Sequence, residues 1–284
     1  MHIYILLLLF GYGCKGPDLQ LESSKQNVDY LIEQGQILWE QRTDKVAMDK
    51  AAHFISLAHE QRPENFKISV LMGKINYHKA YFMTSDKDQK DSLFLEGSII
   101  CKNAVINHPD FIKIHNNTEG DSTFKLLSAI AEAPKSVVPG LYWWAVNLSY
   151  HLINKPALSR INQRELMEII MHRVLALEPG FDFSGPYRFF GLLYTRIPGV
   201  EISQSETYFN QALGANPEYF GNSVVMAEFY HQKAGNREIF HQILEEVINS
   251  DLLDHPELMI ENFFFQQKAQ ALIEIESSLF ELSI

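Results

Sequence analysis

This sequence predicts an all-α fold, an array of stacked helical hairpins, on three observations. Apolar residues recur with a helical period along the chain, and no stretch alternates apolar and polar as a half-buried strand would. Small, aromatic, small and Pro fall at Ser205, Phe209, Ala212 and Pro217, offsets of 0, 4, 7 and 12. There the small side chains let two helices approach and the aromatic fills the groove between them. The same comb fits Ala51, Ile55, Ala58 and Pro63, then Gly97, Cys101, Ala104 and Pro109, and, with larger side chains, Met167, Met171, Val174 and Pro179.

Each comb has a helical stretch upstream, around residues 35–40, 70–77, 141–148 and 185–197. Gly185-Pro186 opens the last of these, since Pro is tolerated where the first N–H has no helical partner. Ile197-Pro198-Gly199 closes it, because the residue before Pro is pushed out of the α region. A helical pair ending in this comb is the signature of a tetratricopeptide (TPR) hairpin. The reading is therefore a superhelical solenoid of four degenerate TPR-like hairpins, irregularly spaced.

Taken in order, the chain opens on an apolar run, Ile3 to Phe10, followed by small residues before Cys14. The run is too short to span a bilayer and fits the apolar part of a secretory signal. Gly11 and Gly13 ahead of Cys14 resemble a bacterial lipoprotein box, in which the Cys is acylated. The expectation is a signal peptide over residues 1–13, lipidation at Cys14, a polar tether over 14–27 and one all-α domain over 28–284. Gly11-x-Gly13-x-x-Gly16 also spells the dinucleotide fingerprint, but no βαβ unit follows it.

A helical pattern starts at Val28, and Asp44 is placed to cap the next helix. Residues 65–83 form the following helix, with Tyr77, Tyr81 and Phe82 as core fillers. A charged turn at residues 85–88 precedes a helix over 92–105. Residues 109–139 break the rhythm, with a polar loop at 115–121, a short helix at 123–132 and a covering role at one face or end. Tyr142, Trp143 and Trp144 then follow one another, and three adjacent aromatics on a helix cannot share one face, so one Trp is expected to line a cavity. Beyond Pro217, residues 219–232 and 238–249 make another pair. A last helix over 256–282 is apolar nearly all round, as expected for one buried by neighbours or a partner.

The net charge of −11 argues against nucleic acid, which calls for a basic footprint. With Cys14 acylated, Cys101 has no disulfide partner and reads as a small core hydrophobe. Glu228-x-x-His231 and Glu238-x-x-His241 each place a carboxylate and an imidazole on one helix face, as di-iron bundles do. Those bundles also need a lone Glu from each of two more helices, and these pairs lie too close in sequence to converge. They read as polar faces. No zinc-binding, nucleophile-elbow or phosphate-loop motif is present, so neither an enzyme nor a cofactor is expected.

Several segments resemble the T component of tripartite ATP-independent periplasmic (TRAP) transporters, a family of TPR-containing lipoproteins. They are Cys14, Leu141-Tyr142-Trp143-Trp144, the run from Gly185 through Arg188, Gly191 and Tyr194 to Pro198, the run from Phe209 through Ala212 to Pro217, and the tail with Asn262, Gln266, Lys268, Ala269, Leu272 and Ile273. The resemblance implies a non-catalytic periplasmic protein, attached to the membrane by its lipid alone, with a pore or cavity through each protomer. It further implies the ability to form a homotrimer, to dock a substrate-binding P component and to take a small apolar ligand. Tyr142, Trp143, Trp144, Arg188 and Phe189 are the candidate ligand contacts, and the tail motif adds Asn262 and Gln266. For the tryptophans, packing between repeats is the alternative, and Arg188 either pairs with a core acid or grips a ligand carboxylate. The competing reading of the whole chain is a TPR lipoprotein that scaffolds envelope proteins without a small ligand.

Overall fold

In the computed structural model the described residues are 19–281, so the signal segment, Cys14 and the start of the tether lie outside them. The fold is an all-α array, with no strand among the described residues. Helix α1 (Leu19–Glu40) pairs with α2 (Lys45–Gln61), and α3 (Phe66–His78), lengthened by a π turn (Lys79–Met83), pairs with α4 (Lys87–Ile106). Then come α5 (Pro109–Asn117) and α6 (Ser122–Ala131), the latter lying on α8 (Ala157–Leu177), which pairs with α7 (Val138–Leu152). Helix α9 (Phe181–Arg196) pairs with α10 (Ile202–Ala215). The next arm is α11 (Phe220–Met226), a second π turn (Ala227–His231) and α12 (Gln232–Ala234), packed on α13 (Arg237–Asn249). Helix α14 (Met259–Glu274) covers α11 and α13, and α15 (Glu276–Glu281) follows it.

The comb explains how the hairpins close. All of its helical positions are buried, Ile55, Cys101, Met171 and Phe209 completely. Facing Phe209 across its hairpin is Gly191, where an added Cβ would lie 2.8 Å from the ring. Gly35 opposite Ile55 and Gly73 opposite Cys101 repeat the arrangement. In three hairpins the second helix also ends in the same way. Arg62 (φ −136°, ψ 64°), Glu178 (φ −148°, ψ 75°) and Asn216 (φ −141°, ψ 72°) each leave the helix in one conformation. Each donates its N–H to the last comb residue, Ala58, Val174 or Ala212, and Pro follows because the helix cannot continue.

Differences from the sequence expectation have local causes. Helix α1 already begins at Leu19, inside the stretch expected to be a tether. Asp44 caps α2 by accepting from the Val46 N–H, as expected. Helix α4 starts at Lys87 because Asp86 accepts from the Gln89 N–H at 2.7 Å and caps it there. Residues 115–117, expected in a loop, form the last turn of α5, which Pro109 and a capping His108 start. The final helix is divided at Ile275, where the backbone leaves the helical region.

The array closes on itself. Helix α14 returns to the first two hairpins, where Arg42 meets Glu261 at 2.5 Å and also donates to the Trp39 carbonyl. His78 sits between Trp39 and Phe264, at ring distances of 5.2 and 4.6 Å. Phe82 packs against Phe264 and Phe265. The inner helices α3, α7, α9, α11 and α14 thereby enclose a bore.

Candidate ligand cavity

Within the bore lies a cavity of about 40 Å³, with Tyr77, Tyr142, Trp143, Phe189, Leu192 and Phe265 among its walls. Adjacent helical residues point about 100° apart, and this separates the two tryptophans. Trp143 borders the cavity, with Tyr77 5.3 Å away and the Lys74 ammonium 5.6 Å from its ring centre. Trp144 turns into the dry core between α7 and its neighbours, 2% exposed.

Arg188 is the cavity's most constrained polar group. Its terminal nitrogens donate to the Asp182 carboxylate (2.8 Å), the Asp182 and Phe183 carbonyls, the Asn222 side chain (2.8 Å) and the Tyr142 hydroxyl (3.2 Å). Asp182 accepts from the Tyr142 hydroxyl as well, at 2.8 Å. Burial opposes charge on the guanidinium, but the oxygens of Tyr142, Tyr219 and Asp182 hold its pKa above the ordinary arginine value. Burial and the Asp182 charge keep the Tyr142 phenol protonated, its pKa well above normal. Arg188 is therefore paired with a core acid, and its terminal donors are already committed.

A left-handed turn builds this cluster. Asp182, Phe183 and Ser184 all have positive φ (49°, 55° and 63°), a conformation that costs L residues free energy and persists only where neighbours enforce it. Right-handed helix resumes at Gly185-Pro186. A Cβ on Gly185 would lie 2.6 Å from Tyr142 Cζ, so glycine is what lets the phenol reach Asp182. On the opposite wall, burial and the charges of Arg42 and Lys74 push the His78 pKa well below its ordinary value, leaving a neutral imidazole.

Tyr142, Trp143, Arg188 and Phe189 thus share one cavity, while Trp144, Asn262 and Gln266 stand outside its lining. Asn262 holds the start of α11, accepting from the Phe220 N–H and donating to the Glu218 carbonyl. Gln266 donates to the carbonyls of Val247, Ile248 and Ser250, the loose end of α13. Both side chains spend their polar atoms on helix termini, which a ligand would have to displace.

A second cavity, of about 430 Å³ and without a counterpart in the sequence expectation, lies on the far side of an aromatic partition. Tyr150 lines both cavities and packs against Tyr77 (5.3 Å), Tyr81 (5.1 Å) and Phe94 (5.2 Å). The two π turns meet here. They bring Tyr81 and Glu228 to a 2.5 Å hydrogen bond, with Lys268 2.7 Å from the same carboxylate. The dense aromatics at 77–82 were the visible signal; a π turn leaves none in the sequence. Glu228 is thus occupied by Tyr81 and Lys268, while His241 pairs with Glu276 at 2.6 Å. The two Glu-x-x-His pairs serve separate networks.

The chain is thus an all-α array of TPR-like hairpins arranged around an aromatic-lined cavity. The chain matches the family model described as TRAP transporter T-component over residues 59–280, and it belongs to that family. Comparison with curated proteins returns no match. Membership in this transport family, which is not an enzymatic one, gives the chain an accessory role in TRAP transport.

Proposed function

We propose that this protein is a lipid-anchored periplasmic accessory of a TRAP-type uptake system. It holds a small apolar or amphipathic ligand inside its ring and presents it to a substrate-binding P component. The observation that carries this reading is the aromatic cavity inside the ring, with Trp143, Tyr142 and Phe189 in its wall and the Arg42–Glu261 contact beside it. Pockets that bury a small ligand are lined by apolar and aromatic side chains with a few placed polar groups, and the wall of this cavity has that composition. Acylation at Cys14 supplies the membrane attachment, and no helix among the described residues is long and apolar enough to cross a bilayer. Docking of a P component and assembly as a homotrimer rest on family membership. A scaffold without a ligand would present an open concave groove to a peptide instead.

The test is a titration with the apolar fluorophore N-phenyl-1-naphthylamine. Saturable binding to the wild type is expected, with loss in Val146→Trp, which fills the cavity, at unchanged helical circular dichroism. No saturable binding by the wild type, or undiminished binding by Val146→Trp, would refute the proposal.

A further inference from the structure

The two cavities differ in charge. In the first, Lys74 and Arg188 are balanced by Asp182 and Glu261. The second is lined by four cations, Lys87, Lys90, Arg196 and Lys268, against two acids, Asp91 and Glu228. Both acids are already engaged. Asp91 is held by His151 (2.9 Å) and by Lys155 (2.8 Å), and Glu228 by Tyr81 and Lys268. Lys87, Lys90 and Arg196 have no ion pair among the described residues. Arg196 lies over the Phe229 ring at 5.1 Å, and its Nε is buried without a hydrogen-bond partner.

Positive charge concentrated in a concave wall is unusual in a chain of net charge −11, and it disfavours itself until an anion arrives. Burial and the Lys268 charge hold the Lys90 pKa below the ordinary lysine value. Burial likewise lowers that of Arg196, and nearby Arg160 adds to the effect against an opposing Glu228. Apolar side chains complete the wall, with Phe94, Tyr150, Phe229 and Leu272 beside the cations. Cations set beside apolar side chains in one concave wall match an anion carried on an apolar body. A concave pocket of about 430 Å³ suits a small molecule better than an acidic protein surface.

We propose that the second cavity binds the anionic headgroup of an amphipathic ligand, a carboxylate or phosphate held by Lys87, Lys90 and Arg196, with the apolar chain lying against Phe94, Tyr150 and Phe229. This deepens the ligand-carrier reading and rests on it. It places the headgroup beyond the partition, on residues that neither the TPR comb nor the aromatic triplet at 142–144 points to. Tyr150, shared by both cavities, is then the point at which the chain of the ligand approaches the inner cavity.

Isothermal titration calorimetry of the purified mature protein with decanoate, decyl phosphate and decanol tests this. The two anions are expected to bind more tightly than decanol, and the tighter of them assigns the headgroup. Lys90→Gln and Arg196→Gln should each weaken the anions about tenfold, the scale of one charge-assisted contact, and leave decanol unchanged. The doubly substituted Lys87→Gln/Lys90→Gln, at solvent-accessible positions, keeps the test open if Arg196→Gln fails to fold. Raising the salt concentration should weaken only the anions. Decanol binding as tightly as decanoate, or variants within twofold of wild type for the anions, overturns this proposal alone. Failure of all three probes to bind overturns the carrier reading with it.

Discussion

Asp182→Ala is expected to cost more stability than any other single polar change in the cavity wall. The Asp182 and Arg188 side chains are only 13% and 10% exposed and meet at 2.8 Å. Removing the carboxylate strands a buried guanidinium, a change worth about 3–5 kcal/mol where one partner of a buried pair is deleted. Alanine also tolerates the φ of 49° poorly. For a chain of this size about 2–4 °C of Tm accompanies each kcal/mol, so the melting temperature should fall by about 6–20 °C. Asp182→Asn keeps the shape, the tolerance of positive φ and an acceptor, and should cost about half as much. In an Arg188→Met background the Asp182→Asn change should cost under about 1 kcal/mol, because the stranded charge is gone. The assay is thermal unfolding by circular dichroism across this double-mutant cycle. Additive effects, or a shift of less than about 2 °C for Asp182→Ala, would refute the pairing argument.

Three further outcomes follow from the packing and the titrating groups. Gly191→Ala should destabilise by about 1–3 kcal/mol through overpacking against Phe209, and urea unfolding should show the cost shrinking in a Phe209→Leu background. The Cys101 thiol is fully buried, and burial pushes its pKa up, so at pH 8 it should label only as fast as the protein opens, read by mass spectrometry of the labelled peptide. At the α13–α15 contact, the hydrogen bond to Glu276 raises the His241 pKa. Burial opposes ionisation of Glu276, but its bonds to Arg237 and His241 hold its pKa below normal. A raised histidine pKa stabilises fully below the unfolded value of about 6.5 and is lost as pH rises through the folded value. The Glu276 contribution is lost only on acidification through the carboxylate range. Hydrogen-exchange protection of α15, corrected for intrinsic rates, should therefore fall as pH is raised from 6 to 8, and His241→Asn should abolish that dependence.

The hairpins were legible because their closure is local chemistry. Ser205, Phe209, Ala212 and Pro217 act within one pair of helices, and the three matching caps at Arg62, Glu178 and Asn216 repeat that chemistry. Ring closure was not legible, because Arg42 and Glu261 are 219 residues apart and neither carries a local signal. The split between Trp143 and Trp144 was foreseeable from helical geometry, though which one faces the cavity depends on how α7 leans on α4. The tail residues Asn262 and Gln266 were singled out by family resemblance, and their polar atoms cap helix ends instead. The left-handed turn at Asp182–Phe183–Ser184 runs against local propensity and is held by distant partners, Arg188 and Tyr142 on Asp182, Tyr219 on Phe183 and Asn216 on Ser184. The second cavity was hidden for a related reason. Its cations come from α4, α9 and α14, and they converge only once the ring is closed.

Native mass spectrometry of the purified mature protein, followed by extraction and identification of what is released, decides whether the ring holds a small ligand. A co-purifying small molecule with an apolar body is expected, released on denaturation and lost in Val146→Trp while the fold persists. A wild-type protein of bare polypeptide mass, folded and empty even after incubation with a periplasmic extract, would contradict it and leave the scaffold reading in its place.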